Sequence, residues 1–309
     1  MEESKEFLIL RYSLIGDPQL SLLAKDLPSP KGAAIVSAID NDAEFFLNGV
    51  KYSFVGFKRV EPVSGYNFPS ERFWVGKTAK LRTALRGEKI PGDIVEHKED
   101  DWVPILTIFD VEDQYIFVQK DWRFGTPEQI ARAIQRGLRD QVFGKYNHKV
   151  FIEGLLSKDV FWDVVRKSKK VYRVNFKLIS PNILETNKRA KEALKSLKVL
   201  FDQDEIDLTL LNETGNLKIP QEPVEDYVDY ISEGEGSWLV VTEGERGGKK
   251  RHSSVENTKT IELATSSSEM IEEERRIEQE TGKPAPSRTL SDARLIAEVY
   301  SSISGIRES

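Results

Sequence analysis

The hydrophobic period of this 309-residue chain changes at Thr126. Upstream, apolar residues fall in short runs that suit strands, the first at residues 7–12. Runs at 45–47 and 50–55 flank Asn48-Gly49, a dipeptide suited to a type I′ hairpin turn. Phe73-Trp74-Val75 begins another strand, and runs at 103–109 and 115–119 flank Glu112-Asp113 as a second hairpin. Between them lies a basic stretch, 77–89, with Lys77, Lys80, Arg82, Arg86 and Lys89. It reads as a loop or short helix ended by Pro91-Gly92. At the change point, Thr126 is a helix N-cap and Pro127 suits the first helical position. Ile130, Ile134, Leu138 and Val142 then recur every four residues, which predicts a helix over 127–143.

Beyond it the pattern predicts a strand at 149–152, a helix at 159–167, a strand at 171–178, a helix at 185–200 and a strand at 206–210. Such alternation favours a layer with helices on one face. Strands at 238–241 and 260–263 flank a loop at 244–257, and an acidic helix is expected at 267–280. A Gly/Pro linker at 282–287 leads to a terminal helix, 289–304, with its stripe at Leu295, Ile296, Val299, Tyr300 and Ile303. The expected class is α+β, with a strand-rich N-terminal half and a mixed α/β C-terminal half closed by a terminal helix. Three regions follow: a β-rich domain 1–122, a basic-faced α/β domain 123–266, and a helical tail 267–309. The tail's stripe after a linker suits docking on a neighbouring subunit, in a homodimer or higher oligomer.

Charge is sorted into blocks. Residues 161–200 carry eleven bases and three acids, a net +8, in a chain whose total is −6. Residues 201–245 invert this with thirteen acids against Lys218, and 246–260 return to +4. Surface charges more than about 8 Å apart are largely screened at physiological salt, so a local patch outweighs the total. No apolar run approaches the roughly 18–20 residues of a membrane-spanning helix, so no membrane insertion is expected. The polar start, Met1 to Glu6, lacks the pattern of a signal peptide, and a cytoplasmic location is the expectation. Cysteine is absent, which removes disulfides, thiolate metal sites and a cysteine nucleophile.

Two basic groups are candidates for phosphate contact. Lys169, Arg173 and Lys177 are four apart around a strand, opposite Val174, Phe176 and Leu178, with Lys170 beside them. Lys249, Lys250 and Arg251 lie in a glycine-containing loop between strands, with Ser253 and Ser254 as further donors. Both groups also fit a solvated surface, and Arg166 and Lys167 fit ordinary compensation of a helix dipole. Gly76-Lys77-Thr78 mimics the end of a P-loop, but Glu71 stands where that motif needs glycine. The three histidines, His97, His148 and His252, share no helical or hairpin spacing, so no metal site is expected. Asp110, Glu112, Asp113 and Lys120, or Asp93, Glu96 and Lys98, are the residues a metal-dependent nuclease would need to gather. No catalytic residues and no cofactor are assigned.

The basic strand 170–178, the following helix, Glu205-Ile206-Asp207-Leu208-Thr209-Leu210 and the turn Glu213-Thr214-Gly215 carry a family likeness. This order, over roughly residues 100–265, resembles the RexA-like phage-exclusion proteins and the B subunit of the Kiwa anti-phage system. The resemblance implies a cytoplasmic, oligomeric DNA-binding protein of antiviral defence that works with a membrane-protein partner. It brings no catalytic residues. The acidic pI and the acidic helix at 267–280 have no place in that pattern. The leading expectation is therefore a non-enzymatic protein that binds double-stranded DNA without sequence preference. A metal-dependent nuclease of a defence system and a subunit docking an acidic protein partner are the alternatives.

Overall fold

The computed structural model describes residues 2–17, 25–40, 42–179, 197, 200–201, 203–245, 247–266, 268–282 and 285–308. Its fold is α+β, strand-rich in the N-terminal half and ending in a helix. The strand β1 (Glu2–Gly16) is its centre. One face of β1 buries Leu8, Leu10, Tyr12 and Leu14, and the other buries Phe7 and Ile9. A strand apolar on both faces must be covered on both.

The remaining elements of the first half are the short helix α1 (Val36–Ile39) and strands β2 (Glu44–Leu47), β3 (Val50–Arg59), β4 (Phe73–Ile90), β5 (Asp93–Asp110) and β6 (Tyr115–Gln119). They pair antiparallel in the order β1-β6-β5-β4-β3-β2. Asn48 and Gly49 both take positive φ, 50° and 78°, as the type I′ turn requires. Helix α2 (Pro127–Tyr146) begins at Thr126 with a full capping box to Gln129. Its buried stripe, Ile130, Ile134, Leu138 and Val142, covers the face of Leu8, Leu10, Tyr12, Phe54 and Ile105.

Two further strands complete β1's pairing. Its second half pairs with β7 (His148–Gly154) along one edge, and its first half pairs with a late strand, Thr260–Ser266, along the same edge. The two meet at Ile9. Its carbonyl accepts from the Leu155 amide at 3.0 Å, and its own amide donates to the Lys259 carbonyl at 2.9 Å. Everything between Leu155 and Lys259 is thus an insertion into the main sheet. It comprises α3 (Lys158–Lys167), β8 (Val171–Ile179), β9 (Glu205–Leu211), α4 (Gln221–Ser232), β10 (Gly236–Glu243) and β11 (Lys249–Ser253), with the returning strand as β12. The insertion's own sheet has the order β11-β10-β8-β9. Helices α3 and α4 cover one side of it, with Phe161, Val228 and Ile231 packed on Val174, Phe176, Leu178 and Val240.

Helices α5 (Ser268–Thr281) and α6 (Pro286–Glu308) close the chain. Leu295, Ile296, Val299 and Ile303 of α6 are buried against Phe7, Phe73, Val75 and Ile108, on the main sheet's second face. The stripe expected to meet a neighbouring subunit is covered by the chain's own sheet. Strands β7 and β12 pair with β1 in the main sheet, and helices α2 and α6 pack on its two faces. The expected helix at 185–200 lies largely outside the described residues. Helix α4 stands where no element was expected. The stretch 77–89 is strand rather than loop or helix: it belongs to β4, which pairs with β5 up to Ile90 and Asp93. Beyond Lys80, β4 has no other partner among the described residues, so the distal hairpin is a two-stranded arm. Its turn uses Gly92 at φ 86°. On the arm, Arg82 sits opposite Asp101, and Arg86 pairs with Glu99 at 3.1 Å.

The insertion is anchored by a buried ion pair. Arg11 Nη1 lies 3.3 Å from Glu235 Oε1 and donates to the Glu233 carbonyl at 2.9 Å, and the Ser13 hydroxyl reaches the other Glu235 oxygen at 3.4 Å. The side chains are 7% and 0% exposed, so removing one partner strands the other charge away from water. Arg11→Met is expected to cost about 3–5 kcal/mol in urea unfolding. Arg11→Met with Glu235→Leu is expected to recover most of that loss, because no lone charge remains.

Candidate nucleic-acid interface

The seven basic residues singled out in the sequence all lie in the insertion, but they do not form one patch. Alternation along β8 puts Val174, Phe176 and Leu178 against the helices and Arg173 and Lys177 on the outer side. Lys169 precedes the strand in a bend. Cross-strand pairing sets Leu211, Arg173, Val241 and Arg251 in one row across the outer side. Arg173 and Arg251 thus flank Val241, and Leu211 is 63% exposed beside them. Adjacent strands lie about 4.8 Å apart, so the two arginines stand roughly 10 Å apart along the row.

The expected loop 244–257 contains a strand, β11, because Gly247 turns at φ 78° and lets the chain fold back on β10. β11 is the edge of its sheet. Lys249 and Arg251 point outward with Arg173, and Lys250, paired opposite the buried Thr242, points to the helix side. There it joins Lys167 and Lys169 in an open groove of about 970 Å³ between the end of α3 and the β10–β11 hairpin. Glu243, Glu245 and His252 line the same groove, and burial pushes the His252 pKa down, aided by Lys250. Lysines on an edge strand also hinder strand addition by another chain.

Two of the seven are engaged elsewhere. Lys170 holds Glu243 at 2.8 Å, and Lys177 holds Glu205 at 2.8 Å. Lys249 lies 4.9 Å over the Tyr172 ring. Lys169, Arg173, Lys250 and Arg251 are exposed and form no ion pair among the described residues. Of the other bases in the +8 block, Lys188, Arg189, Lys191, Lys195 and Lys198 lie outside the described residues.

The carboxylates that a nuclease would need are committed to an arginine. Arg72 grips Asp110 through two hydrogen bonds, Nε to Oδ1 at 2.9 Å and Nη2 to Oδ2 at 2.6 Å. It also meets Glu112 at 3.1 Å and Asp113. Its guanidinium lies 5.1 Å from the Phe73 ring centre and 5.2 Å from that of Tyr300. Asp110 is fully buried, and burial pushes its carboxyl up against the pull of Arg72. Lys120 is paired with Glu6 at 2.9 Å. The group joins β4, the β5–β6 turn and α6, and it presents no open carboxylate cluster. Among the described residues, no group of three His, Asp or Glu side chains is placed to hold a metal ion.

Sequence reasoning missed Glu153. It lies on β7, in a cavity of about 190 Å³ between α2 and the outer side of β8 and β10, with Glu128, Arg132, Lys177 and Ser237. Burial pushes its carboxyl up to about 7, ahead of the attraction of Lys177 and the hydroxyl of Ser237. Only the packing of the insertion on α2 creates this environment, and nothing local at residue 153 signals it. The folded state therefore holds this proton more tightly than the unfolded chain does. Its contribution to stability is present below about 4.5 and is lost as pH rises through about 7. The Tm of Glu153→Gln relative to the parent is expected to rise across that window and level off above it. A constant difference from pH 4 to pH 9 would rule this out.

Compared with known proteins, the chain matches no protein-family model and no curated protein.

Proposed function

We propose that this protein binds the phosphate backbone of double-stranded DNA, without chemistry, along the β11 edge of the inserted sheet. The observation that carries the reading is the row Arg173–Val241–Arg251. Two exposed arginines with no ion pair among the described residues stand on the outer sheet surface, and Lys249 and Lys250 extend the charge to both sides of the edge strand. Lys169 adds a fifth cation near the groove. Such side chains contact phosphates and sugars without reading bases, which fits binding indifferent to sequence. A part in phage defence, as an oligomer, is the remainder of the proposal and is supported by the sequence resemblance alone.

Five phosphate contacts imply a slope of log K against log salt of about −4.5 on duplex DNA. Replacing Lys249, Lys250 and Arg251 together by alanine is expected to reduce that slope by about 2.7. Lys170→Ala and Lys177→Ala are expected to change it little, since each lysine already faces a glutamate. Fluorescence anisotropy with a labelled duplex and magnesium measures all of these and shows whether the duplex stays intact. Absence of binding at low salt, or binding indifferent to salt, rejects the proposal; magnesium-dependent cleavage would replace it with the nuclease alternative.

A further inference from the structure

A second concentration of positive charge lies outside the inserted sheet, under helices α5 and α6. Two adjoining cavities of about 260 and 200 Å³ open between these helices and the second face of the main sheet. Lys77, Leu106, Ile271, Arg288 and Asp292 line both. We propose that this cleft binds a small phosphorylated ligand with an apolar or aromatic body and a hydrogen-bond donor, the chemistry of a mononucleotide.

Alternation along β4 places Lys77 on the same side as Phe73 and Val75, beneath the helices. It is half-buried and has no ion pair or hydrogen bond among the described residues. Burial lowers its pKa, and the cations Arg288, Arg275 and Lys5 push the same way against the attraction of Asp292. Asp292 is itself held by Lys58 at 2.7 Å, and Arg288 by Glu278 at 3.0 Å. Lys5, Arg123 and Arg294 likewise carry carboxylate partners. Arg275, like Lys77, has none among the described residues, and both border the smaller cavity. A half-buried ammonium among cations is costly, and a bound anion removes that cost.

Glu274 of α5 lines the larger cavity, is 4% exposed, and its Oε1 has no hydrogen-bond partner among the described residues. Burial pushes the pKa of its carboxyl up, against the hydrogen bond from Ser287 and the attraction of Arg288. A buried acceptor left unsatisfied is costly, so a ligand hydroxyl or amino group that fills it contributes binding free energy. The larger cavity has apolar lining at Pro104, Leu106, Ala264, Ile271 and Leu295, beside the polar Gln119, Thr265, Ser266 and Ser291. Apolar surface with convergent polar groups is the usual build of a small-ligand site. An anion at Lys77 and Arg275, a donor at Glu274 and a body between them describe one molecule.

Isothermal titration of the full chain tests this, using inorganic phosphate, the four common ribonucleoside monophosphates, and adenosine as an uncharged control. At least one monophosphate is expected to bind with Kd below about 1 mM, with adenosine at least tenfold weaker. Lys77→Met removes the anion's partner together with a disfavoured charge, so it is expected to stay folded, as thermal melting would show, and to lose binding. Glu274→Gln is expected to weaken the nucleotide about tenfold while leaving inorganic phosphate unchanged. The Lys249, Lys250 and Arg251 triple alanine variant is expected to bind the nucleotide as the parent does. The proposal fails if no monophosphate binds the parent, if binding survives Lys77→Met, or if the triple variant abolishes it. In the last case the ligand is reading the DNA-binding edge instead.

Discussion

The insertion is attached to the main sheet by the backbone of one residue. Ile9 receives the departing chain at Leu155 and the returning chain at Lys259 on consecutive hydrogen bonds, in the middle of β1. That arrangement makes β7 and β12 one interrupted strand along β1's edge, with the inserted unit leaving and re-entering through the interruption. Backbone hydrogen bonds alone would hold the ends and leave the unit free to swing. Arg11, two residues on, supplies the second point of attachment by reaching Glu235 at the start of β10. Gly234 permits this approach: it turns at φ 79°, and a Cβ there would lie 2.8 Å from that of Arg11. The outer side of the inserted sheet is consequently set against α2 at its Lys177 end, while its Arg173 and Arg251 end stays open.

Local patterns in the sequence proved sufficient for local structure. Asn48-Gly49 specifies its turn because few other residues tolerate positive φ at both positions. Thr126-Pro127 specifies the start of α2 because the cap is completed within three residues. The alternation in 171–178 separates the two sides of β8 correctly. Helix α4 was legible in principle, since Val224, Tyr227, Val228 and Ile231 keep helical spacing, but the surrounding acids mask the stripe. The arm was not legible, because its residues have little to bury and so show no clean period. The insertion was hidden for a different reason. Nothing in residues 148–154 or 260–266 announces that both pair with β1, and a linear division of the chain cannot represent a unit that interrupts another.

The candidate site was legible in sign but not in pairing. Formal charge sums treat every lysine as available, yet the acidic block after residue 200 supplies Glu205 to Lys177 and Glu243 to Lys170. Part of the +8 and −12 contrast is therefore internal neutralisation between strands that lie side by side in the sheet. Sequence separation gives no hint of it, since Lys170 and Glu243 are 73 residues apart. The same logic explains the acidic group at Asp110, Glu112 and Asp113, which gathers as a nuclease site would but does so around Arg72.

What survives this cancellation decides how an acidic protein can attract a polyanion. Screening limits the influence of the distant acids to about 8 Å at physiological salt, so a phosphate near Arg251 responds to its immediate neighbours. On the outer row those neighbours are Val241, Leu211 and Arg173, none of them acidic. On the helix side Lys250 shares its groove with Glu243 and Glu245, and the first of these is already neutralised by Lys170. The outer row is thus the stronger attractor, and the groove contributes mainly through Lys169 and Lys250. If the protein binds DNA as proposed, its net charge of −6 would act at long range and low salt, slowing the approach of the duplex without altering the contacts made on arrival.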